Sequence, residues 1–263
     1  MNIRKDEFVK ETTDLVRKNV EKVNYKVLSG PLETLKTVDL PFQLADTVNQ
    51  EEIAKENLVL GLKSCLGQIA VCGAIMEKHF PKEKIALGEV WEDFFANIMA
   101  KKFRQNRDSQ YDPSFMREWL MYEEPHVILV INGKQFEPLS KFMGLDVEHP
   151  RVQAFPFWEG VAVSRLASVS NCEKDHEERL RLLDLAEEIC PGMTLIRENR
   201  VQSLVELGMI KEAVECLKWS VERRPNARKL WAICHFMEKI GEDSSKYLRA
   251  FLERYPFSIQ EYF

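Results

Sequence analysis

Three side chains in the first half of the chain have the types and the order that acyl chemistry at a thiol requires: Cys65, His126 and Glu137. A cysteine attacks an amide carbon as the thiolate, so it needs a feature that lowers its pKa and a base that takes its proton. Cys65 lies in Lys63-Ser64-Cys65-Leu66-Gly67-Gln68, where a loop runs into an apolar stretch that reads as a helix. A cysteine at or near a helix N-terminus meets the positive end of the helix dipole, which stabilises the thiolate. His126 is the candidate base, and Glu137 the carboxylate that would orient its ring and raise its basicity.

The elements that must position these groups are legible around them. In Glu124-Pro125-His126-Val127-Ile128-Leu129-Val130-Ile131-Asn132-Gly133-Lys134-Gln135-Phe136-Glu137-Pro138 the run Val127–Ile131 reads as a buried strand, and Asn132-Gly133 as a two-residue hairpin turn. Lys134 to Glu137 is then the returning strand. A hairpin pivoting on Asn132-Gly133 makes His126 and Glu137 diagonal neighbours on one face, within reach of long side chains. A further strand is expected over residues 84–91, and strands are expected only within about residues 84–140. Ahead of Cys65, residues 1–60 read as helix, loop, helix. Phe8, Thr12, Leu15 and Val16 form a stripe at helical spacing, and Leu28-Ser29-Gly30-Pro31 and Asp39-Leu40-Pro41 mark breaks. Residues 139–170 read as a loop rich in proline and aromatics, a lid or a connector, with Phe155, Phe157 and Trp158 as core residues. The polar segment 101–112 reads as a solvated loop.

The order Cys, His, acid, with the pattern His, apolar strand, short Gly turn, aromatic, acid, Pro, resembles the transglutaminase-like superfamily of papain-type cysteine enzymes over residues 58–138. Glu137 stands where that family normally has Asp. The resemblance implies an α+β domain over residues 1–170, with Cys65 as nucleophile, His126 as base and Glu137 as orienting acid, acting on an amide of a protein or peptide. It implies no cofactor and no metal.

From Asp175 the texture becomes uniformly helical. Cys190-Pro191, Arg224-Pro225 and Tyr255-Pro256 each place a proline where a helix must stop, at a period close to that of stacked helical hairpins. Within Leu207-Gly208-Met209-Ile210-Lys211-Glu212-Ala213, followed by Leu217, Ser220 and Pro225, the Gly, Ala, large apolar, small and Pro positions resemble the tetratricopeptide repeat. A looser unit runs from Lys229 to Pro256 with Gly241 at its turn, and residues 178–191 read as the closing helix of an earlier one. Residues 171–263 are thus expected to be an all-α domain of tetratricopeptide-like hairpins that contacts proteins. Trp219, Trp231 and Tyr247 are expected in its core, and His235 as a packed helix residue rather than a ligand.

Composition narrows the function classes. Of 263 residues, 45% are hydrophobic and 30% charged, with a net charge of −5. A mild acidic excess disfavours nucleic acid, which needs clustered Lys and Arg. No secretory leader and no apolar run long enough to cross a bilayer is seen, so the expected setting is cytoplasmic and away from membranes. No two of the six cysteines form a CxxC pair, and Cys72, Cys190, Cys216 and Cys234 fall at apolar helical positions as buried thiols. Two functions are compatible with these features: a thiol-dependent amide hydrolase or acyl transferase, or an inactive scaffold that binds a protein partner through its helical hairpins.

Overall fold

The computed structural model describes residues 4–21, 23–38, 65–91, 126–137 and 148–254. The fold is α+β, helices with one small antiparallel sheet. The chain divides into two compact units. One gathers the described residues of Met1–Val90 and His126–Ile196, the other those of Trp91–Pro125 and Arg197–Phe263.

The first unit begins with α1 (Lys5–Val20) and α2 (Pro31–Lys36), the latter entered through Gly30 with Pro31 in its first turn. In α1 the predicted stripe holds: Phe8, Thr12 and Val16 are buried and Leu15 packs on the same core. Helix α3 (Cys65–His79) is followed by β1 (Ile85–Val90), β2 (Val127–Ile131), β3 (Lys134–Phe136) and β4 (Val152–Pro156), arranged β3-β2-β1-β4 with every pairing antiparallel. Then come α4 (Phe157–Cys172) and α5 (His176–Ile189), the latter capped by the Asp175 carboxylate, which accepts from the amides of Glu177 and Glu178.

Alternation along the strands sorts the sheet into two faces. Leu87, Val127, Leu129, Ile131 and Phe155 share one face and belong to the main core, together with residues of α1, α3, α4 and α5. Gly88, Val90, Ile128, Val130 and Gln135 share the other. The connection of α3 to β1 is short, over residues 80–84, and closes a turn through the Glu83 amide on the Phe80 carbonyl (3.0 Å).

Two expectations change here. The segment read as a loop over 139–170 contains β4 and α4, so strands are not confined to 84–140. Val152 to Phe155 sit against β1, where Leu87 pairs with Phe155, and this long-range pairing overrides the local signal of His149-Pro150 and Pro156. The first unit also continues past the boundary drawn at residues 170/171. Leu182, Leu183, Ala186 and Cys190 of the following segment lie in the main core, and α5 packs along α4 and α1. Glu89, fully buried on β1, accepts from the amides of Thr194 (2.9 Å) and Leu195 (3.1 Å) and so caps α6 (Thr194–Glu206). The carboxylate meets two amides that no turn of the helix can satisfy. The segment 101–112 lies outside the described residues.

The second unit contains most of α6 and the whole of α7 (Ile210–Arg223), α8 (Ala227–Lys239) and α9 (Ser245–Arg254). Among the described residues no strand occurs beyond Cys172. Gly208 and Gly241 stand at the turns expected of them, with φ of 75° and 72°. Ala213, Leu217 and Ser220 are buried, and Ser220 donates to Glu198 (2.9 Å). Tyr247 is buried and Trp219 half-buried beneath the Arg223 guanidinium, but Trp231 is 40% exposed and His235 is exposed as well. These two are four residues apart on α8, on the stripe opposite Leu230, Ile233, Cys234 and Met237. The expectation that Trp231 and His235 pack inward is therefore corrected by the phase of α8. No helix among the described residues is long and apolar enough to cross a membrane.

Two predictions follow from these packing arrangements. On α3, a Cβ at Gly73 would stand 1.9 Å from the Phe157 ring, so Gly73→Ala must push α4 outward. Its expected cost is about 1–3 kcal/mol of unfolding free energy, read by denaturant titration. In the second unit Glu198 bonds Arg224 (2.7 Å) and Lys229. Burial alone would raise its carboxyl, but the two cations outweigh it and hold the pKa at about 2. A depressed carboxylate stabilises the fold above its unfolded pKa and stops doing so as pH falls toward the folded one. Glu198→Gln should therefore lower stability at neutral pH and flatten the acid limb between about pH 4.5 and 2 in a melt-versus-pH series.

Candidate functional site

The hairpin builds the site. Asn132 and Gly133 both have positive φ, 51° and 79°, the paired left-handed conformation of a two-residue turn that matches the sheet twist. Asn132 also ties the turn to β1: its amide donates to the Lys84 carbonyl (2.9 Å), and its Oδ1 accepts from the Lys84 amide (2.9 Å). With the turn pinned, the register is Ile131 with Lys134, Val130 with Gln135 and Leu129 with Phe136. His126 precedes β2, and its carbonyl accepts from the Val90 amide (2.9 Å), so the β1–β2 ladder extends to it.

Carrying the alternation one residue beyond each strand puts His126 and Glu137 diagonally on the face of Ile128, Val130 and Gln135. They touch there. His126 Nε2 is bonded to Glu137 Oε2. The structure thus brings together two of the three residues singled out by sequence. The third, Cys65, is the first residue of α3, at the helix N-terminus as expected, and its side chain lies outside the described residues.

His149 joins the pair and was not foreseen. Its Nε2 lies 3.6 Å from Glu137 Oε2, and its ring centroid 5.8 Å from that of His126, with the planes tilted by 55°. Gln135 fixes it: the side-chain amide donates to the His149 carbonyl (2.8 Å) and accepts from the His149 amide (2.9 Å). A side-chain amide here does for a loop what a neighbouring strand would do. His126, Glu137 and His149 are only 4%, 6% and 3% exposed. A buried carboxylate is costly unless it has a partner, and the bond to His126 supplies one. No spacing rule links a His-Pro dipeptide in a loop to a hairpin upstream. The one hint was Gln135 itself, a polar residue at a strand position whose amide needs partners.

Five other thiols lie among the described residues. Cys72, Cys190, Cys216 and Cys234 are buried, and Cys172 is partly so. Burial, with Glu159, Glu89 and Glu187 nearby, pushes the Cys190 thiol up to about 11, and burial raises Cys234 as well. A raised pKa removes thiolate at neutral pH.

Comparison of the chain with family models, with curated proteins and with solved structures returns no match.

Gln135→Ala removes two hydrogen bonds to the His149 backbone. The expected loss is roughly 1–3 kcal/mol of stability, measured by denaturant unfolding. Gln135→Glu, which keeps the acceptor and loses the donor, should fall between Ala and wild type.

Proposed function

We propose that the chain is a thiol-dependent amide hydrolase or acyl transferase of transglutaminase-like type. Cys65 is the nucleophile, His126 the base, Glu137 the residue that orients the base, and the helices of the second unit are a tetratricopeptide-like module for protein contacts. The observation that carries the reading is the buried contact between His126 Nε2 and the Glu137 carboxylate. With Nε2 so engaged, Nδ1 is the nitrogen through which His126 meets a thiol. Cys65 supports the same reading as the first residue of α3, at the helix N-terminus. The helix dipole there favours its thiolate.

The chemistry runs in two halves. The thiol proton passes to His126 as sulfur bonds to the carbonyl carbon of the amide. The C–N bond then breaks, the proton goes to the departing amine, and a thioester remains on Cys65. Water opens the thioester in hydrolysis, or a second amine opens it in transfer, and the thiol returns. Glu137 stabilises the imidazolium formed on the way. The substrate is an amide of a protein or peptide.

Alkylation of the intact protein near neutral pH, with chelator present and mass-spectrometric mapping, tests this. Cys65 should react about tenfold or more faster than the other five cysteines. Glu137→Gln should slow that reaction while far-ultraviolet circular dichroism stays the same. If all six thiols react alike, the chain is a scaffold and the helical module carries its function. If Glu137→Gln leaves the Cys65 rate unchanged, Glu137 has no place in the site.

A further inference from the structure

The pairing of His126 and Glu137 accounts for two of the three groups that meet on this face of the sheet. His149 is not needed by a cysteine–histidine–acid arrangement, yet it is held by two hydrogen bonds from Gln135 and turned so that Nε2 faces the same carboxylate oxygen. One ligand atom from each of His126, Glu137 and His149 lies within 4.8 Å of the other two, and all three residues are buried. Two imidazole nitrogens and a carboxylate converging in a buried place are the donor set of a borderline divalent cation.

We infer that His126, Glu137 and His149 form a three-ligand site for a zinc-class divalent ion, with a fourth position open to water or another ligand. The distances suit it. Zinc sits about 2.0–2.2 Å from such ligands, so tetrahedral donors stand roughly 3.3 Å apart. His149 Nε2 and Glu137 Oε2 are 3.6 Å apart. The His126 ring, in direct contact with Glu137, has to draw back by about an ångström to admit the ion. Zinc therefore replaces the hydrogen bond between His126 and Glu137 rather than adding to it. Gln135 acts as a positioning residue, setting the backbone of the third ligand. The ion's charge compensates the buried carboxylate more fully than neutral imidazoles can.

This site stands whether or not Cys65 is a nucleophile, but the two uses exclude each other. A zinc ion on His126 and Glu137 occupies the base and its orienting partner, so thiol chemistry stops while it is bound.

The test uses the full chain, stripped with a strong chelator and titrated with zinc chloride against a competing chromophoric chelator. One equivalent should bind, and the melting temperature should rise as it does. His149→Gln should weaken binding at least about tenfold, and His235→Gln, an exposed histidine on α8, should leave it unchanged. Absence of saturable binding at one equivalent overturns the site, as does wild-type affinity in a folded His149→Gln protein. X-ray absorption at the zinc edge of the wild-type protein needs no variant. Two imidazoles with oxygen and no sulfur support the site, and sulfur in the shell assigns the ion to a cysteine and overturns it. The thiol reading is judged separately, on chelated protein. Slow Cys65 alkylation there removes the enzyme proposal without touching zinc binding. Fast alkylation in the chelated protein that zinc suppresses in wild type but not in His149→Gln supports both.

Discussion

The first unit depends on one register. If β2 and β3 slipped by a single residue, every side chain beyond the turn would exchange faces. Phe136 would leave the core beside Leu129, and Glu137 would point away from His126. The slip is prevented at the turn. Asn132 and Gly133 adopt backbone angles that few other residue pairs accept, and Asn132 bonds the start of β1 through both its backbone and its side chain. An apolar face packed against α3 and α4 then enforces the same answer from the other side. The buried charge is therefore assembled by a turn and a hydrophobic pattern, neither of which involves the charged residues themselves.

This explains how much could be read in advance. The hairpin, its register and the diagonal meeting of His126 with Glu137 follow from local rules, because turn chemistry and period-two alternation act within a dozen residues. The start of α3 at Cys65, the stripe of α1 and the glycine turns at Gly208 and Gly241 are local in the same sense. What was missed is non-local. Strand β4 looks like a loop until β1 is there to pair with it. His149 has no signature until Gln135 reaches it, and nothing local to β1 signals that Glu89 meets the amides of Thr194 and Leu195. The phase of α8 failed for a different reason. Aromatic residues are core residues on average, but Trp231 shares its stripe with an exposed histidine, and the helix can bury only one side.

The two units handle buried carboxylates differently. Glu198 is matched by full cations, Arg224 and Lys229, and is held ionised to about pH 2. Glu137 is matched by imidazoles, which are weaker donors and able to give up a proton or accept a metal. A guanidinium at either histidine position would hold the carboxylate more firmly and leave it chemically inert.

The carboxylate of Glu89 has a consequence for how the chain can be divided. It spans from the middle of the sheet to the first turn of α6, and α5 lies in the core between them in sequence. A fragment ending at residue 170 would lose the apolar side chains of α5 from its core and strip two amides from a buried anion. The piece that keeps both the main core and the partners of Glu89 reaches Ile196, so the unit to express is longer than the motif that the sequence displays.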